Sequence, residues 1–255
     1  MEKTVSGHKY FSSTRIAVIA MFAALAAILY IFNFSLPFAF PSFLEFKLSD
    51  IPVLIGSFAL GPVSGVVIII SEILIKLAIQ SSSTVFVGEL SDLLTSCAFA
   101  VTASVIYSKN RTFKGALIGM AVGTIAEVVI AILFNWLVLV PFYVQFMFNG
   151  NWAPLINMMN ALFPSCTKEN FYNYYLWLSI LPFNLLRCIV AVLVTLPVYK
   201  RISVLINRFN AKLTPKNDAD GVKTKKINII VLIVGLCVIA ILITFALLQE
   251  FVFKK

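Results

Sequence analysis

The sequence predicts an all-α, polytopic membrane protein with a six-helix core and one additional C-terminal transmembrane helix. Three observations predict it. Of 255 residues, 60% are hydrophobic and only 12% are charged, with mean hydropathy +0.98; a soluble domain carries about 25% charged residues. The apolar residues fall into runs near the length of about 20 residues that a membrane helix needs. Basic residues gather in the connectors between those runs, where they set orientation. The net charge of +9 therefore does not require a nucleic-acid partner.

One stretch organises the rest: Phe43 to Gly65, FLEFKLSDIPVLIGSFALGPVSG. It begins polar, with Glu45, Lys47, Ser49 and Asp50, and turns apolar at Ile51. The run Ile51–Leu60 is too short to span a bilayer in the ordinary way. Asp50 followed by Pro52 reads as a helix start, with the carboxylate as cap and the proline in the first turn. Gly61-Pro62 reads as its stop, after which a longer helix returns. Short, Gly/Pro-interrupted segments in membrane proteins line cavities that neighbouring helices close.

The elements follow in order. Helix 1 is expected over Ser13 to Phe34, after a polar tail. Its Ala20/Ala24 and Ala23/Ala27 pairs permit close helix approach, either inside the subunit or against a partner. A loop rich in Phe, from Ser35 to Asp50, leads to the short helix 2. Helix 3, Val63 to Ala78, carries Glu72 and Lys76 at i,i+4, the spacing and order of a helical ion pair. A Ser-rich turn precedes helix 4, Gly88 to Tyr107, whose first turn holds Glu89 and Asp92; acids there complement the helix dipole. Helix 5, Gly115 to Tyr143, contains Glu127 and Asn135 and meets Pro141 near its end. The long connector from Val144 to Asn173 holds LINMMNALF, which reads as a short interfacial helix. Helix 6, Tyr174 to Tyr199, opens on an interface-type aromatic cluster, YNYYLW, and should end at Lys200-Arg201. The chain thus divides into a membrane core with a ligand pocket (1–201), a basic cytoplasmic linker (202–226) and a seventh helix with its tail (227–255).

Lys/Arg counting places the N-terminal tail, the 4–5 connector and the 202–226 linker on the cytoplasmic side. The Phe-rich loop, the Ser-rich turn and the 5–6 connector are then external, as is the C-terminus. The cysteines show no metal-type spacing, and Cys97, Cys188 and Cys237 read as small buried hydrophobes. HExxH and G-x-S-x-G motifs and a membrane-embedded histidine are missing, which argues against an enzyme.

Polar groups in apolar helices mark functional sites by default. Asn184 and Arg187 share a face of helix 6, two residues beyond Pro182, and Asn135 lies toward the same external end of helix 5. Together with Glu45 and the loop phenylalanines they describe an outward-facing pocket with aromatic walls, a few amides and one cation. That suits a planar, heteroatom-rich ligand. The alternatives are a structural polar network and an ion-coupled carrier using Glu72, Asp92 or Glu127.

The order FLEFKLSDIPVLIGSFALGPVSG, VGELSDLL, N-x-x-x-x-x-P-x-Y from Asn135, PFNLLR and VYKR resembles the riboflavin-specific substrate-binding subunits (S components) of energy-coupling-factor (ECF) transporters, over about residues 13–201. The resemblance implies a six-helix core that captures riboflavin from outside and docks on a transmembrane coupling subunit with two cytoplasmic ATPases. It implies riboflavin as transported ligand rather than cofactor. It places Ala20, Ala23, Ala24 and Ala27 on the docking face. Ligand contacts would come from Leu44, Glu45, Phe46, Glu89, Asp92, Asn135, Asn184 and Arg187. The chain departs from the pattern at three of these. Arg187 stands where lysine is common, Glu45 near a usual small hydroxyl residue, and Asp92 where an amide is common, so a modified or different ligand is a second expectation.

Overall fold

The computed structural model describes residues 13–213 apart from 42 and 83, with side chains to residue 198. The expected seventh helix and most of the linker lie outside the described residues.

Helix α1 spans Ser13–Ile31, α2 Asp50–Leu60, α3 Pro62–Ile79 and α4 Val87–Lys109. The next span is one 35-residue rod, Phe113–Met147. It is built of α5 (Phe113–Phe134), a π-helical stretch (Asn135–Leu139), a turn α6 (Val140–Phe142) and a second π-helical stretch (Tyr143–Met147). A short helix α7, Ala153–Asn160, sits in the long connector as expected. The last span opens as a π-helix, Asn173–Ile180, and continues as α8, Leu181–Leu213. Five of the described helices are long and apolar enough to cross a membrane, and α2 is a shorter apolar one.

Helix α2 lies at the centre, touching α1, α3, α4 and α8. Every residue of it except Ile51 is buried, which is why its sequence is apolar all round rather than on one stripe. The turn out of it is a single residue. Gly61 has φ +90°, a conformation costly for any residue with a Cβ, and Pro62 starts α3 at once with its fixed φ. The expected stop and return are therefore both present.

Asp50 does not cap α2. Ser49 occupies the cap position without a side-chain bond, and the Asp50 carboxylate points into the bundle, where Ser96 Oγ donates to it at 2.8 Å. Nor do Glu72 and Lys76 pair along α3. Lys76 Nζ reaches across to Glu89 Oε1 at 2.6 Å, while Glu72 accepts from Ser49 Oγ at 3.5 Å.

Three boundaries differ from expectation by three residues or more, one of them the end of the fifth span, which runs on from Tyr143 to Met147. Helix α1 stops at Ile31, because Phe34–Ser35 (β1) pairs antiparallel with Glu45–Phe46 (β2), in the register Phe34 opposite Phe46 and Ser35 opposite Glu45. The Phe-rich loop is thus a folded hairpin. Helix α8 runs past Lys200-Arg201 to Leu213. Cations near a helix C-terminus favour the dipole but do not terminate a helix, and the following RISVLINRFNAKL is rich in helix formers.

Helices α4 and α5 pack most closely. A Cβ on Gly119 would stand 2.6 Å from the Ala103 carbonyl oxygen, and one on Gly123 2.7 Å from that of Phe99. This small-xxx-small face lets the backbones touch. Gly119→Val should force the pair apart at a cost of about 1–3 kcal/mol, read as a lower melting temperature in detergent. An unchanged melting temperature would refute the close approach.

Candidate functional site

At one end of the bundle the helices enclose a cavity of about 320 Å³, at the lower end of the roughly 300–1,000 Å³ range of small-molecule sites. The hairpin covers it with Phe43, Leu44 and Glu45, and α7 contributes Leu155 and Met158. One wall is α4, with Glu89, Asp92 and Thr95. The opposite wall comes from the three π-helical stretches and α8.

Those π-helical regions have a local cause. Pro141 and Pro182 lack the N–H that would continue an α-helical ladder and crowd the carbonyl one turn back, and a wider π turn accommodates that defect. Near each proline an asparagine side chain bonds back to its own helix. Asn135 Nδ2 donates to the Ala131 carbonyl at 2.8 Å, and Asn184 Nδ2 donates to that of Ile180 at 2.8 Å. Tyr175, from the π-helical start of the last span, donates its hydroxyl to Asn135 Oδ1 at 2.6 Å. Among the described residues, none donates to the Asn184 amide oxygen, and the amide of Asn135 retains one lone pair and one N–H.

Below the cavity lies an ionic network. Arg187 is buried, 4% exposed, and faces three carboxylates: Asp50 at 3.3 Å, Asp92 at 3.6 Å and Glu127 in direct contact. Thr95 Oγ1 accepts from it at 3.3 Å. Cys188 donates to the other Glu127 oxygen. Asp92 also pairs with Lys47 at 3.2 Å and accepts the Tyr30 hydroxyl, while Lys47 Nζ sits 4.4 Å over the Tyr30 ring. Lys76 is held by Glu89, whose second oxygen accepts from Ser82 and Thr84 at 2.8 and 3.0 Å. Glu45, at the mouth, accepts from Asn33. Partial desolvation there raises its carboxyl above the usual range, against the opposing pull of Lys76.

Of the expected ligand residues, Leu44, Glu45, Glu89, Asp92, Asn135, Asn184 and Arg187 all line this cavity. Phe46 does not. It is buried behind the wall with Phe40 and Phe183. Of the four alanines, Ala23 and Ala27 are buried in the bundle, and Ala20 and Ala24 are exposed. Sequence reasoning missed Tyr30, Lys47 and Tyr175, and it read Lys76 as the helical partner of Glu72. Lys47 stands two residues from Glu45, the spacing of one strand face, but it read as an external loop charge. Tyr175 read as part of an interface belt.

The family described as ECF transporter, substrate-specific component, matches residues 14–199. The chain belongs to this family. The S component is 27% identical over 194 residues to the riboflavin transporter RibU of Staphylococcus aureus, covering 76% of this chain and 93% of that one. It is 25% identical to the riboflavin transporter FmnP of Bacillus subtilis, over 71% and 87%, and 30% identical to RibU of Lactococcus lactis, over 71% and 88%. A solved structure titled as the S component of a bacterial ECF transporter superposes with a TM-score of 0.58 at 26% identity, covering 76% of this chain and 98% of that one. The protein is accordingly a multi-pass membrane protein and a substrate-binding transport component that associates with an ECF module.

Arg187 in this S component holds α2, α4, α5 and α8 through one side chain. Removing one partner of a buried ion network costs about 3–5 kcal/mol, because the remaining charges stay buried and uncompensated. Arg187→Ala should therefore lower the melting temperature and the yield of folded protein, and not only ligand affinity. A variant that melts like the parent would show that Arg187 serves the ligand alone.

Proposed function

We propose that this S component captures riboflavin, or a close flavin, from outside the cell and delivers it for ATP-driven import. The observation that carries the reading is the cavity itself. Aromatic and apolar side chains from the hairpin, α7 and the π-helical stretches line it together with the amide groups of Asn135 and Asn184. A flat tricyclic ring with heteroatoms on its edges needs that combination of faces and edges. Curated relatives named as riboflavin transporters, aligned over most of their length, support the same ligand. The chain contributes binding and orientation rather than catalysis.

The ligand enters from the side of the Phe-rich hairpin, which the Lys/Arg distribution assigns to the exterior. The hairpin and α7 close over it. Delivery requires a transmembrane coupling subunit and two cytoplasmic ATPases. The exposed pair Ala20 and Ala24 on α1 is the docking face, because small residues let a partner helix approach closely without loss of hydrogen bonds. Ala23 and Ala27 support that face from within.

Purified from rich medium in detergent, the protein should carry a flavin absorbance spectrum in about equimolar amount. A colourless preparation that also fails to bind added riboflavin would overturn the reading. Asn184→Ala should weaken riboflavin binding at least tenfold, about 1.4 kcal/mol, which is within the value of one buried hydrogen bond. Titration calorimetry on ligand-free protein checks it.

Ala24→Trp should abolish uptake in cells while leaving riboflavin binding in detergent intact. Loss of binding in that variant would assign the residue to folding instead.

A further inference from the structure

The site's charges carry an inference that rests on the flavin reading and narrows it. Both cations that line the cavity are already engaged. Lys76 is bound to Glu89 at 2.6 Å, and Arg187 is shared among Asp50, Asp92 and Glu127. The third, Lys47, is 2% exposed, tied to Asp92 and lodged over the Tyr30 ring. The carboxylates are in excess: Glu45, Glu89 and Asp92 line the cavity against Lys76 and Arg187. Among the described residues, Glu45 at the mouth has only the neutral amide of Asn33 as its hydrogen-bond partner, and Asp92 keeps a quarter of its side chain exposed.

We infer that these carboxylates make the site selective against phosphorylated flavins, with Glu45 as the specificity-determining residue at the entrance. A phosphomonoester carries about two negative charges at neutral pH. To enter, it must shed water and find cationic or N–H partners. Here every lining cation would have to weaken its bond to a carboxylate to provide one, and that carboxylate would then lose its cation in a largely buried place. The repulsion does not depend on which end of the flavin leads, because carboxylates stand both at the mouth and on the α4 wall. A neutral ribityl chain meets no such penalty, since its hydroxyls donate to carboxylates.

The test compares riboflavin and riboflavin 5′-phosphate on the same ligand-free, full-length protein in detergent, by quenching of flavin fluorescence. Riboflavin should bind at least tenfold more tightly. The Glu45→Gln variant keeps an acceptor for Asn33 and should narrow that ratio at least threefold. Raising the salt concentration should also narrow it, because an exposed charge is screened. Equal binding of the two flavins, or tighter binding of the phosphate, would overturn the inference. A large ratio insensitive both to Glu45→Gln and to salt would overturn it too, since the exclusion would then be steric. Binding of neither flavin would remove the flavin reading itself, and this inference with it.

Discussion

A guanidinium facing three carboxylates in a water-poor interior is the constraint on which the rest of the structure depends. Arg187 on α8 meets Asp50 of α2, Asp92 of α4 and Glu127 of α5. Burying so many charges is unfavourable unless each finds an opposite partner. Four helices must therefore arrive at one point in one register, and the planar five-donor fork of arginine suits that convergence better than a compact ammonium. The central position of α2 follows. A helix of 11 residues is held in the membrane interior by apolar contact on all sides and by its first residue's carboxylate at the network.

The cavity rests directly on this network, and Asp92 and Arg187 belong to both. The cavity floor is thus made of the same charges that align the helices. The covering elements are built differently. The hairpin, α7 and the π-helical stretches make aromatic and apolar contacts, such as Phe43 with Tyr175 at 5.9 Å and Phe171 stacked on Tyr175 at 5.3 Å. Contacts of that kind are individually weak and adaptable. A rigid ionic floor under an adaptable aromatic cover is consistent with a site that admits a ligand from one side.

Much of this was legible in the chain. The polar start, short apolar run and Gly-Pro stop of FLEFKLSDIPVLIGSFALGPVSG located the start of α2 to within one residue and its turn at Gly61-Pro62, because Gly and Pro act through local backbone geometry. The rarity of charge in apolar helices singled out Glu89, Asp92, Asn135, Asn184 and Arg187. Partners were not legible. The i,i+4 spacing of Glu72 and Lys76 suggested a pair, yet Lys76 is bound across the helix interface, where desolvation makes the interaction stronger than on an exposed face. Asp50 looked like a helix cap and is an interhelical ligand for Arg187 for the same reason.

The sequence by itself determined the membrane-embedded all-α class, the order of the spans, the short central helix and the end of the bundle where polar groups gather. These depend on composition and on nearest-neighbour geometry along the chain. Only the tertiary structure decided which carboxylate each cation takes, that Phe46 stands behind the wall while Lys47 supports its floor, and that Ala20 and Ala24 are outside while Ala23 and Ala27 are inside. Such facts depend on helix rotation and on groups tens of residues apart, and a charge or a methyl group in a sequence carries no mark of the surface it will meet.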